Sequence, residues 1–256
     1  MLDTMLFCAA VVGGVATLLW ILSVAIKDAS IVDIFWGPAF AVIAWSAWWA
    51  RALPMTVAAT TSLALVTTWG LRLGLYLAWR NIGKGEDFRY QKMRKSVGSS
   101  FAIRSLVTVF WFQAAIALAV SVPVVAALVA AEDVAVPWIA VGAAIWAIGL
   151  FFEAVGDAQL ARFKADPDNK GKVMDKGLWR YTRHPNYFGD SAMWWGLYLI
   201  IAPVAPWAAV GPVIMTFFLL NVSGVAMLEK TIGKRRPGYA EYVRKTSAFI
   251  PWPPKA

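Results

Sequence analysis

The chain alternates apolar stretches of about 20 residues with short polar connections, and the first, MLFCAAVVGGVATLLWILSVAI, contains no charge at all. A helix rises ~1.5 Å per residue, so such a stretch matches the ~30 Å thickness of a bilayer's hydrocarbon core. Further stretches lie at about 31–50, 55–78, 105–130, 137–160, 188–205 and 209–229. With 60% hydrophobic residues and 15 tryptophans, this pattern excludes an ordinary soluble domain. It predicts an all-α polytopic bundle of seven transmembrane helices over residues 1–256, treated as one membrane domain. The first stretch lacks the basic flank and small-residue cleavage site of a signal peptide and reads as a retained span.

Net charge is +9, a value that raises nucleic acid as a partner until the positions of the charges are read. The connection 80–104 carries Arg80, Lys84, Arg89, Lys92, Arg94, Lys95 and Arg104 against Glu86 and Asp87. Segment 161–187 and the tail beyond 229 are basic as well, whereas the intervening connections carry Glu132 and Asp133 or no charge. Basic loops face the cytoplasm, so seven crossings put the amino terminus outside and the carboxyl terminus inside. Orientation accounts for most of the positive charge, leaving the lipid bilayer as the partner and no reason to invoke nucleic acid or an obligate protein partner. One cysteine, Cys8, excludes an internal disulfide, and with the single histidine, His184, it leaves no metal-ligand set.

Polar groups inside spans are costly and concentrate where ligands or partners meet them. Asp33 stands at the start of the second stretch in SIVDIFWGP, suited either to the positive end of a helix or to a partner such as Arg72. Arg72, Tyr76 and Arg80 recur at four-residue steps on one face of the third. Glu153 and Asp157, also four apart, need cations or hydroxyl and amide donors to hold them together. Arg72 and loop arginines such as Arg162 are the ion-pair options; a ligand's ribose and carboxamide groups are the alternative.

The most unusual segment is GLWRYTRHPNYFGD, Gly177 to Asp190. Pro185 fits the first turn of a helix, on which Asn186 and Asp190 share one row and Tyr187 and Asp190 another. Arg180, Arg183 and His184 fit either loop orientation or ligand contact. Topology alone does not account for Asn186, Tyr187 and Asp190. The tail adds Tyr239, Tyr242 and Arg244 in a short amphipathic segment, suited to phosphates and a flat base or to an anionic lipid surface.

On GLWRYTRHPNYFGDSAMWWGLYL and EKTIGKRRPGYAEYVRKTSAFIPW the chain resembles the steroid 5-alpha-reductase family, in particular bacterial members carrying the C-terminal reductase domain. The shorter Arg-His-Pro-x-Tyr core is shared with isoprenylcysteine and phospholipid methyltransferases that use S-adenosylmethionine. The resemblance implies a bacterial inner-membrane enzyme that binds NADPH from the cytoplasmic side and reduces the 4,5 double bond of a 3-oxo-Δ4 steroid or similar hydrophobic enone. Residues 1–130 then form mainly the substrate chamber and 131–256 the reductase region with most cofactor contacts. Cofactor contacts are expected at Arg80, Arg89, Glu153, Asp157, Arg162, Arg180, Tyr181, Arg183, His184, Asn186, Tyr187, Asp190, Tyr242 and Arg244. For polarising the ketone the residues are Asp33, Tyr76 and Tyr90, because the Gln-Glu pair of the animal enzymes has no counterpart in the second stretch. Trp36 and Trp69 are the expected substrate-wall residues.

Overall fold

The structure is a computed structural model and describes residues 1–51, 54–222, 225, 229 and 236–255. Among the described residues the regular elements are helical, with an isolated parallel bridge between Thr182 and Ser247 as the extended feature. In chain order the helices are α1 (Leu2–Ile26), α2 (Ile31–Ala50), α3 (Val57–Asn81), α4 (Phe88–Val120), α5 (Val122–Val129), α6 (Val136–Ala165), α7 (Pro185–Ile201), α8 (Pro206–Val222) and α9 (Tyr239–Lys245). Of these, α1, α2, α4 and α6 are long and apolar enough to cross a membrane. Leu18 and Leu75 are 67% and 72% exposed, surfaces that lipid rather than water would favour.

The chain divides into two units, Met1–Ile139 with Ile200–Val210, and Ala140–Leu199 with Gly211–Ala256. In the first, α2 packs most extensively on α3 because glycines let the backbones touch. A Cβ on Gly70 would lie 2.5 Å from the Gly37 carbonyl oxygen, and one on Gly74 would lie 2.6 Å from Pro38 Cγ. Phe40 and Trp69 fill the interior above this crossing, with ring centroids 5.2 Å apart. Cys8 is a packed thiol that donates to the Ile43 carbonyl at 3.4 Å.

The start of α4 is fastened to the start of α2 by polar contacts between their preceding turns. Ala29 N–H donates to Glu86 at 2.9 Å, Asp87 N–H to Ser30 Oγ at 3.2 Å, and Arg94 to Glu86 at 2.7 Å. Burial would raise the Glu86 pKa, but the hydrogen bonds from Arg94 and Ala29 outweigh it and hold the carboxyl below its ordinary value. Further along α4, residues Leu106–Trp111 form a π-helical turn. Such a turn shifts which residues face the neighbouring helices.

In the second unit, Gly142, Gly149 and Gly156 of α6 recur at seven-residue spacing, matched by Gly189 and Gly196 of α7. A Cβ on Gly189 would meet Gly149 O at 2.4 Å and Glu153 N at 2.5 Å; one on Gly196 would meet Gly142 O at 2.6 Å. This small-residue crossing brings two polar helix ends side by side.

Candidate functional sites

The α6–α7 crossing sets Glu153 and Asp157 opposite the turn that carries Asn186 and Asp190. All three carboxylates are buried. Asn186 Nδ2 donates to Asp157 Oδ1 at 3.2 Å, which fixes the amide's orientation because a carboxylate only accepts. Its Oδ1 is thereby turned away, buried and without a hydrogen-bond partner among the described residues. Leaving a buried acceptor unmet costs about 1–3 kcal/mol, so a donor from water or a ligand would be favoured at this oxygen.

The stretch leading into α7 is clamped from two sides. Trp179 Nε1 donates to the Gly156 carbonyl at 3.0 Å and Leu178 N–H to Gln159 at 3.0 Å, holding the loop to α6. The tail then runs along it: Arg183 N–H donates to Ser247 O at 2.8 Å, Thr182 Oγ1 to Phe249 O at 2.8 Å, and Trp252 N–H to Tyr181 O at 2.9 Å. The Tyr242 hydroxyl donates to the Trp179 carbonyl, and its burial raises its pKa.

Arg183 is the pin of this clasp. It holds Glu229 with two bonds of 2.8 and 3.1 Å and donates to the carbonyls of Thr246 at 2.6 Å and Val243 at 3.2 Å. Its side chain is occupied by the protein, which gives it a structural role. His184 Nε2 lies 3.3 Å from Glu229, and its ring stacks on Tyr187 at 5.4 Å. Burial lowers the His184 pKa, Glu229 opposing, so the imidazole is neutral near pH 7. Arg162, Arg180, Tyr181 and Arg244 of this unit are exposed.

The first unit holds a second polar cluster. Asp33, in the first turn of α2, accepts from Arg89 at 2.6 Å and from the Tyr90 hydroxyl at 2.7 Å. The cation meeting Asp33 is thus Arg89, which also donates to Asp87 at 2.9 Å. Arg72 instead lies over the Tyr76 ring at 5.3 Å, with Arg80 also near that ring at 5.7 Å. Gln113 Nε2 of α4 completes the cluster by donating to the Tyr90 oxygen at 3.2 Å. Gln113 also lines a narrow cleft together with Val12, Ala16, Phe35, Trp36 and Phe110. Trp36 therefore stands at a cavity wall, while Trp69 is buried against Phe40.

Sequence reasoning did not single out Gln113. The available signal was a lone amide in the apolar run FWFQAAIALAV.

Comparison with known proteins matches residues 19–246 to the family described as "Protein of unknown function (DUF1295)". The probable O-methyltransferase ustE of Ustilaginoidea virens is 32% identical over 120 residues. That match covers 47% of this chain and 38% of the fungal protein's length. No solved structure matches.

Proposed function

The chain belongs to the DUF1295 family, related to steroid 5-alpha-reductase-like membrane proteins, and we propose that it is a membrane enzyme that reduces a lipid enone with NADPH. The observation that carries this reading is the buried, unmet Asn186 Oδ1 beside Asp157. An amide oxygen and carboxylates call for a ligand rich in N–H and O–H donors, a description that fits a nicotinamide carboxamide and ribose hydroxyls. The exposed Arg162, Arg180 and Arg244 of the same unit suit phosphates, the 2′-phosphate included. S-adenosylmethionine also carries ribose hydroxyls, but it is cationic at sulfur and has no phosphate to meet arginines.

NADPH supplies the hydride when bound; the remaining work falls to the chain. Hydride arriving at the β-carbon of an enone leaves negative charge on the ketone oxygen, and a hydrogen-bond donor there is the central requirement. Tyr90 of the first unit is the donor suited to this task, with Asp33 accepting from its hydroxyl and holding the phenol in place, and Arg89 meeting Asp33 from the other side. As charge builds on the ketone, the hydroxyl hydrogen turns from Asp33 toward it. Solvent or a nearby acid protonates the α-carbon. In this reading α3, α7 and α8 join the four long apolar helices to make seven crossings of a bacterial inner membrane, with the carboxyl terminus and the cofactor on the cytoplasmic side.

The test is NADPH oxidation by detergent-purified protein, followed by loss of cofactor fluorescence with progesterone and with a linear enone as substrates. Turnover of either supports the proposal; no turnover together with no NADPH retention sinks it. The printed name of the fungal relative favours a second reading, methyl transfer from S-adenosylmethionine to a lipid or prenylcysteine. Thermal stabilisation by S-adenosylmethionine but not NADPH would select it.

A further inference from the structure

The segment that opens α4 has two faces, and one of them is not spent on the protein. Inward, Tyr90 is buried, Arg89 holds Asp33 and Asp87, and Arg94 holds Glu86 and lies over the Phe101 ring at 4.4 Å. Those pairs occupy Asp33, Glu86 and Asp87, while Asp28 accepts from the Ser30 N–H at 2.8 Å. Outward, Phe88, Lys92 and Lys95 follow at four- and three-residue steps as one exposed stripe. Lys84 stands just before the helix, and Ile103 and Arg104, both exposed, lie further along it. Lys84, Lys92, Lys95 and Arg104 make no ion pair among the described residues. The segment thus keeps its acids for its own arginines and leaves these cations uncompensated, in company with exposed apolar side chains.

Helix α4 has 33 residues. At ~1.5 Å per residue it is about 50 Å long, roughly 20 Å more than the hydrocarbon core that it would cross. The surplus amounts to about 13 residues, the length of the polar stretch Phe88–Ser100. That places the stretch at the headgroup layer, where lysines beside a phenylalanine meet lipid phosphates and acyl chains together. We propose that the Phe88–Lys92–Lys95 stripe, with Lys84 and Arg104, docks anionic phospholipid headgroups. Each basic side chain near an anionic surface strengthens such attachment about fivefold. The bound lipid steadies the turns whose inward face presents Arg89 and Tyr90 to Asp33. The inference needs α4 to cross the bilayer; it rests on the enone reading only for what Tyr90 does there, and it requires no cofactor.

The test is hydrogen–deuterium exchange of the full chain, without NADPH, in nanodiscs holding one copy and made of phosphatidylcholine alone or mixed with an equal part of phosphatidylglycerol. Peptides covering 88–100 should exchange at least about fivefold more slowly in the anionic discs, because a ligand bound to the ordered helix suppresses its local opening. High salt should erase the difference. Lys92→Gln/Lys95→Gln should lose most of it, whereas Lys92→Arg/Lys95→Arg should keep it, which separates charge from helix packing. Exchange of the glutamine variant in phosphatidylcholine discs reports whether these turns still form; where they do not, the arginine variant and the salt response of the wild type decide. Equal exchange of the wild type in both discs, full protection of the glutamine variant in anionic discs, or protection that persists in high salt overturns the proposal. So does protection that requires two copies in one disc, which would assign the stripe to self-association. Failure of NADPH oxidation alongside lipid-dependent protection would sink the reductase reading and leave this one standing.

Discussion

Replacing Gly189 with alanine tests whether the α6–α7 crossing builds the cofactor ledge. The new Cβ would sit 2.4 Å from Gly149 O and 2.5 Å from Glu153 N, both backbone atoms with no side-chain freedom to yield. Ordinary contact begins near 3.4 Å, so the helices must part by about 1 Å. That movement carries the 3.2 Å Asn186–Asp157 bond beyond hydrogen-bonding range. Overpacking of this kind costs about 1–3 kcal/mol. A backbone contact belongs at the upper end, and alanine's better helix propensity offsets about 1 kcal/mol. The net loss of about 2 kcal/mol corresponds to a fall in Tm of about 4–8 °C for a chain of this size. Gly14→Ala is the control, since nothing lies within 4 Å of its new methyl group. Tryptophan fluorescence melts in detergent measure stability, and titration with NADPH measures the ledge. Should Gly189→Ala melt with Gly14→Ala and bind NADPH like the wild type, the close crossing would have no part in forming the site.

Arg183→Met strands Glu229 and two carbonyls. It should destabilise the protein by about 1.5–3 kcal/mol, the range for hydrogen bonds to charged groups, because Glu229 is partly exposed, and expose the tail to trypsin at Arg244 and Lys245, read by limited proteolysis. Acid should weaken the fold through His184: burial depresses its folded pKa, so the unfolded chain takes up a proton near 6.5 while the folded chain does not. This contribution is complete above pH 6.5 and is lost as pH falls toward the depressed folded value; His184→Gln should flatten that part of the melting profile. Asp33→Asn removes the anion that holds Arg89 and Tyr90 and should reduce enone turnover at least tenfold while leaving NADPH affinity within about twofold, checked by rate and binding measurements on one preparation.

Much of the helical layout was legible because apolar length and Pro/Gly placement are local properties. Pro185 does begin α7, Asp33 does sit in the first turn of α2, and the short tail helix falls on Tyr239–Lys245. The α6–α7 polar ends were legible for the same reason: Glu153 with Asp157, and Asn186 with Asp190, announce shared faces through four-residue spacing. Partner choice was not. Arg72 looked suited to Asp33 by depth, yet Arg89, 56 residues away, makes the bond, because the turns around Ser30 and Asp87 are hydrogen-bonded together. Arg183 looked like a loop cation available to phosphate until Glu229, 46 residues on, was seen to occupy it. The π-turn at Leu106–Trp111 interrupts the helical period just before Gln113, so no periodicity count could place that amide at a cleft.

The central claim is that the α6–α7 ledge receives NADPH, and titrating the wild type and Asn186→Ala with NADPH and with S-adenosylmethionine tests it most directly. The account predicts saturable NADPH binding by the wild type, weakened at least tenfold in the variant because Asp157 loses the Asn186 amide and the ligand loses its acceptor. It predicts no comparable response to S-adenosylmethionine. Saturable S-adenosylmethionine binding with none for NADPH, or NADPH affinity unchanged in Asn186→Ala, would contradict it.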